Sequence, residues 1–232
     1  MFNKLKIIIL FLFINKICFC QIFPQPQNLP LFDKKPIHFG FLVGLNNYDF
    51  KIRPNESSND QILNYKSKNQ YGFNLGIISN IKLSREIDFR ILPSLVFAER
   101  IIEYQIIQEN SILNINKTIE STFIDIPLII KYKSERYNNG RAFLITGIKY
   151  SYDLASQKNI DDGGNDIIKI NSHDILYEFG GGIDFYFEYF KFSIQVKSSI
   201  GILNVLSEEN LIYSDVLNKL KTRGINICFL FE

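Results

Sequence analysis

The residues of this 232-residue chain whose types invite a chemical reading are few. Ser172-His173-Asp174 has the composition of a hydrolytic relay, but neighbouring residues of a strand point to opposite faces and cannot hand a proton among themselves. A rim enzyme would need His173 to meet a distant serine or acid. His38 and His173 open strands at opposite ends of the fold read below, about a membrane thickness apart, so they cannot form a pair. Asp161-Asp162-Gly163-Gly164-Asn165-Asp166 offers the oxygen ligands that calcium favours. The position where an EF-hand loop places its bidentate glutamate is Ser172, so a solvated turn is expected instead. Gly180-Gly181-Gly182 lies inside a strand rather than ahead of a helix, where it would relieve crowding or let a sheet bend instead of cradling phosphate. No catalytic residue, cofactor or metal site is expected.

What must position these residues is a series of alternating runs. Ile37, Phe39, Phe41, Val43 and Leu45 share one face, and His38, Gly40, Gly44 and Asn46 the other. The same period of two returns over residues 71–79, 89–98 and 122–133, where Ile124, Ile126, Leu128, Ile130 and Tyr132 oppose Asp125 and Lys131. It continues over 142–152, 175–187 and 190–202, and ends with Ile225, Ile227, Phe229 and Phe231 on one face. A strand crossing an outer membrane needs about 9–11 tilted residues, which is the length of these runs. The gaps at 51–70, 99–121, 153–174 and 204–221 are long and polar, and those at 80–88, 134–141 and 188–189 are short. This is the pattern of an all-β, eight-stranded antiparallel transmembrane up-and-down β-barrel, with short periplasmic turns, long outer loops and both chain ends in the periplasm.

Residues 1–20 read as a secretory leader cleaved near Cys20. Lys4 and Lys6 precede a short apolar stretch that Asn15 and Lys16 interrupt before it could span a bilayer. Residues 21–36, with Pro24, Pro26, Pro30 and Pro36, read as an extended periplasmic lead-in without a core, and 37–232 as the barrel. The leader holds three lysines and no acid, so without it the chain carries a net charge of −1. Nothing in that balance points to nucleic acid. Only Cys228 remains, too few for a disulfide framework.

Alternation alone does not say which face is outside, and a lipocalin-like soluble barrel would turn its apolar face inward around a ligand. The leader, the aromatic residues near strand ends (Tyr71, Tyr132, Tyr150, Tyr152, Phe187, Tyr189, Phe190) and the charged opposite face favour the membrane version, in the outer membrane. Eight strands leave an interior just wide enough for side chains. Arg90, Asp125, Lys131, Glu178, Asp184, Lys191 and Lys197 are expected there as a mutually neutralising polar plug. At the second periplasmic turn, Lys131, Lys133, Glu135 and Arg136 beside Tyr132 and Tyr137 form a candidate partner contact, with a solvated turn and aromatic girdle as the alternative.

Several segments resemble the PorT family. They are Pro36-Ile37-His38-Phe39-Gly40-Phe41 with Gly44-Leu45-Asn46-Asn47-Tyr48-Asp49-Phe50; Glu120-Ser121-Thr122-Phe123-Ile124-Asp125-Ile126-Pro127-Leu128-Ile129-Ile130-Lys131-Tyr132-Lys133; Gly147-Ile148-Lys149-Tyr150-Ser151-Tyr152-Asp153-Leu154-Ala155-Ser156; and Gly182-Ile183 leading into the most diagnostic run, Asp184-Phe185-Tyr186-Phe187-Glu188-Tyr189-Phe190-Lys191-Phe192, followed by Gly201-Ile202-Leu203-Asn204. The likeness runs from about Pro36 to the C-terminus. It implies an accessory component of the type IX protein secretion system of Gram-negative bacteria, which exports proteins and in some species supports gliding motility. Its partners would be other secretion components and outer-membrane lipid. The family brings no catalytic residues, and Glu232 after Phe231 departs from barrels that finish on the aromatic residue. A generic outer-membrane barrel binding a ligand or partner through its outer loops is the alternative, and a rim enzyme using His173 a third.

Overall fold

The computed structural model describes residues 26–54, 62–108, 111–156, 170–206 and 217–232. The leader and the aspartate-rich loop at 161–166 lie outside them. Among the described residues, nine strands form one antiparallel sheet: β1 (Ile37–Pro54), β2 (Ile62–Lys82), β3 (Ile87–Ile91), β4 (Ser94–Gln108), β5 (Ser111–Lys133), β6 (Gly140–Asp153), β7 (His173–Tyr186), β8 (Lys191–Gly201) and β9 (Leu217–Phe231). The sheet closes because β1 pairs with β2 on one side and β9 on the other, with Phe41 opposite Phe231. Closure leaves no unpaired edge.

β3 and β4 are two halves of one stave, since both pair with β2 and β5. The eight staves are thus those of the eight alternating runs. The interruption falls at Leu92-Pro93, because proline has no N–H to give the ladder. Its carbonyl is still used, accepting from the Ile77 amide at 2.9 Å.

The apolar face of each stave is outside. Ile37, Phe39, Phe41, Val43 and Leu45 are all exposed, as are Ile124, Ile126, Leu128 and Ile130. Side chains of opposite parity, among them Arg90, Lys131, Glu178 and Asp184, are buried to 0% exposure. A continuous apolar belt around a polar interior is stable only with lipid as the outer solvent, which excludes the lipocalin-like arrangement.

Residue 26, the first described, and Glu232 lie at one end of the barrel, here called the base, and the opposite end is the rim. Two of the gaps read as long loops are instead strand. β5 has 23 residues, about twice what a spanning strand needs, and its pairing with β4 continues to Gln108 opposite Ser111. β1 and β2 likewise run on to Pro54 and from Ile62. Polar side chains such as Glu103, Asn114 and Asn116 hid the strands because the outward face of a hairpin standing clear of the belt meets water, which removes the apolar stripe used to find strands, while Ile102 and Tyr104 turn inward.

Inside the rim, Phe50, Ile102, Tyr104, Ile170, Val205, Leu206 and Leu220 pack into an apolar cluster. The chain before β7 and after β8 folds inward to complete it, joined by a bridge between Ile170 and Leu206. A second apolar cluster, with Leu42, Ile78, Leu92, Ile129, Phe143 and Ile145, fills the waist.

Candidate functional site

The lumen is the chemically distinctive part of the molecule, and strand parity builds it. Along β5, inward positions two residues apart carry Lys131, Ile129, Pro127 and Asp125; along β7 they carry Asp184, Gly182, Gly180 and Glu178. Charge therefore arrives in two layers with an apolar waist between them.

In the base layer, Lys131 Nζ donates to both oxygens of Asp184 at 2.7 Å. Ser193 Oγ donates to the same carboxylate at 2.6 Å, and the ammonium also lies 3.7 Å from the centre of the Phe143 ring. Arg90 donates from Nε to Asn80 at 2.6 Å and from Nη2 to Glu232 at 2.7 Å, while Lys191 reaches the other Glu232 oxygen at 2.9 Å. The terminal residue that departs from the usual barrel ending thus closes a charge network. Lys133 pairs with Asp88 beside it.

In the rim layer, Lys149 Nζ meets Asp125 and the Tyr48 hydroxyl, each at 2.8 Å. Glu178 accepts from Lys197 at 2.9 Å and from Ser199 at 2.8 Å. Above it, Arg100 donates to Ser121 and lies 4.2 Å from the Phe50 ring centre, where the apolar rim cluster begins. Breaking one partner of such a buried pair strands a charge at a cost of about 3–5 kcal/mol, so the network is rigid once formed.

At the waist, a Cβ on Gly180 would stand 2.2 Å from the Val196 carbonyl oxygen, and one on Gly182 would stand 2.6 Å from Phe143 Cζ. Glycine here admits close backbone approach and leaves room for the Phe143 ring to cross the lumen. No phosphate cradle is formed.

The seven residues expected inside all project into the lumen. Sequence reasoning did not place Lys149, Arg100, Arg141, Lys133, Asp88 or Glu232 in the lumen. Lys149, Lys133 and Arg141 share parity with inward neighbours, so the same period of two would have found them. Arg100 fell in a stretch read as loop.

The candidate contact cluster at the β5–β6 turn is divided by the same parity. Lys131 and Lys133 turn inward and are consumed by Asp184 and Asp88. Tyr132 and Tyr137 are exposed outside, and Glu135 forms an exposed pair with Arg85 at 3.2 Å. Arg136 donates to the carbonyl of Asn28 and stacks on Tyr186, 3.7 Å from its ring centre. The accessible part of the cluster is therefore Tyr132, Glu135 and Tyr137 with Arg85.

Asn28 belongs to the 21–36 lead-in, expected to be extended and without a core of its own. Its described part, residues 26–36, covers the base of the barrel. Asn28 N donates to Asn139 at 2.8 Å, and Asp33 accepts from Arg141 at 2.7 Å and from the Tyr186 hydroxyl at 3.0 Å. Phe32 stacks on His38 with centroids 4.1 Å apart, and Lys191 lies 4.8 Å from the Phe32 ring centre. The single 3-10 turn Phe32–Lys34 aims Phe32 and Asp33 at the mouth. His38 is thereby sealed beneath the cap.

His173 stands on the opposite, outward face of the rim. Its Nδ1 lies 2.6 Å from the Tyr150 hydroxyl and its ring 5.0 Å from that of Tyr152. Asp174, the next residue, is buried within the barrel, so the pair diverges as alternation requires.

A closed antiparallel barrel with an apolar belt, a charge-filled lumen and short turns at its base is an outer-membrane β-barrel. The chain belongs to the outer membrane protein beta-barrel domain family, whose profile matches residues 23–207. It lies in the outer membrane; in such barrels short turns face the periplasm and tall connections the outside, so the base is taken as the periplasmic end. Among solved structures it is similar to Neisserial surface protein A, at 8% identity over 84% of this chain and 98% of that one, with a TM-score of 0.44. It is also similar to OprG from Pseudomonas aeruginosa, at 11% identity over 84% and 91% of the respective chains, with a TM-score of 0.42. No curated protein matches the sequence at a significant level.

Proposed function

We propose that this barrel is an accessory component of the type IX protein secretion system, acting by contact with other components and not as a pore. The reading of contact over conduction is supported by one observation above all. From base to rim the lumen is occupied in turn by the 26–36 cap, the Lys131–Asp184 layer, the apolar waist, the Lys149–Asp125 layer and the apolar rim cluster. A protein cargo has no route through it. The assignment to type IX secretion rests on the PorT resemblance over residues 36–232.

In this reading the belt holds the protein in lipid, and the periplasmic face meets its partners through Tyr132, Glu135, Tyr137 and the cap. His173 belongs to an outer aromatic girdle with Tyr150 and Tyr152 rather than to an enzyme. A second reading, a generic barrel that binds its partner outside the cell, is favoured by the tall β4–β5 hairpin, whose exposed strand faces stand beyond the belt.

The test is deletion of the gene, with restoration in trans, and measurement in medium against cell extract of the proteins bearing the type IX export domain. Intracellular accumulation reversed by complementation supports secretion. Unaffected export overturns it and leaves the outer-hairpin reading.

A further inference from the structure

The outward face of β1 and β9 changes character abruptly. From the base upward, β9 presents Phe229, Ile227 and Ile225, and then Arg223, Lys221 and Lys219; β1 presents Val43, Leu45 and Asn47, and then Asp49, Lys51 and Arg53. In the pairing register Lys51 stands opposite Lys221 and Arg53 opposite Lys219. Like charges directly opposite on one sheet face are destabilising, and here two such pairs follow one another.

Counter-charge on the described strands around these cations is scarce. Among the described residues of β1, β2, β8 and β9, the acids are Asp49 and the inward-facing Glu232 just past β9. Asp49 is taken by Arg223. Lys221 Nζ is steered by a 2.8 Å hydrogen bond to the Ile202 carbonyl. Lys51, Arg53, Lys221 and Arg223 line a cleft of about 230 Å³ together with Thr222, Ile200 and Gly201, and Lys219 stands beside it opposite Arg53.

Its height in the bilayer identifies the occupant. Tyr71, 86% exposed and opposite Asn47 in the ladder, marks the interface, where tyrosine rings sit at headgroup level. The cleft begins two residues further out and faces lipid, not lumen. Toward the base from it, Ile225 and Ile227 of β9 and Val196 of β8, which stands opposite Ile227, offer an exposed surface for acyl chains. Arginine and lysine held in a concave site are the groups that recognise phosphate.

We propose that this cleft binds the phosphorylated headgroup of an outer-leaflet glycolipid, whose acyl chains lie along the β8–β9 face beneath. The site is independent of the secretion reading and stands or falls separately.

The test uses the purified full-length barrel in nonionic detergent, with binding of bisphosphorylated lipid A followed by native mass spectrometry. The quadruple variant Lys51→Ser, Arg53→Ser, Lys219→Ser, Lys221→Ser is expected to weaken binding about tenfold or more. It should still run as a folded barrel on an unheated gel, since it removes opposed like charges. Lys34→Ser with Lys35→Ser, which removes exposed cations at the base, should leave binding unchanged. Dephosphorylated lipid A, phosphatidylglycerol and inorganic phosphate should each bind at least about tenfold more weakly than the bisphosphorylated lipid. Retained binding by the folded quadruple variant overturns the site, as does equal loss in the base control. Equal binding of the dephosphorylated lipid, of phosphatidylglycerol or of free phosphate overturns the assignment to a phosphorylated glycolipid.

Discussion

Asp33, ahead of the first strand, accepts a hydrogen bond from Arg141 of β6 at 2.7 Å. One contact thereby joins a segment without buried residues of its own to the barrel wall, and it does so across the periplasmic mouth. Asp33→Ala removes it together with the Tyr186 hydrogen bond. The cap should loosen by about 1–2 kcal/mol, because a charged hydrogen bond is discounted where its carboxylate is partly in water. Hydrogen exchange should rise over residues 26–36 and stay unchanged in β5 to β8; unchanged exchange in the cap contradicts the docking.

Lys131 and Asp184 form the innermost pair of the base layer. Asp184→Asn should destabilise the barrel by about 3–5 kcal/mol by orphaning Lys131, whereas Lys131→Met combined with Asp184→Leu should recover most of that loss. Urea unfolding from detergent micelles reads both. Equal losses in the single and double variants would mean that packing, not the stranded charge, sets the cost.

Glu232 lies one residue past β9. Burial pushes its carboxyl up, but Arg90, Lys191 and Lys131 outweigh that and hold it down, to about 2. A carboxylate held below its ordinary value near 4.5 contributes stability above that value and loses it as pH falls towards 2. The wild-type barrel should therefore lose stability across this window, and Glu232→Gln should be less stable at neutral pH with a flatter acid limb. Identical acid limbs would remove Glu232 from the network.

Glu135 and Tyr137 are the accessible residues of the periplasmic turn, while Lys131 and Lys133 are not. Photocrosslinkers placed at 135 and 137 in cells should yield adducts with another secretion component, and one placed at Ile126 in the belt should not. Adducts confined to rim positions such as 114 or 116 would favour the outer-hairpin reading.

The staves were legible because a half-buried strand must alternate, and Ile124 to Tyr132 does so without a break. The same parity placed Lys131 and Asp184 on one inner face before any contact was known. It also exposes why the contact cluster was misjudged: Lys131, Tyr132 and Lys133 are neighbours in sequence but not on a surface. The β4–β5 hairpin was hidden because its outward face meets water and carries no apolar stripe, although Ile102 and Tyr104 turn inward into the rim cluster. The cap was hidden because Phe32 and Asp33 owe their positions to His38, Arg141 and Tyr186, partners distant in sequence that no local pattern announces.

The most direct measurement of the central claim is conductance across a planar bilayer, comparing the wild-type barrel with a variant lacking residues 26–36. A lumen blocked by two ion-pair layers, a waist and an apolar rim cluster predicts no steady conductance from either protein, since removing the cap leaves Lys131–Asp184 and Phe143 in place. Stable channels in the wild type, or channels appearing once the cap is gone, would contradict a barrel that works by contact alone.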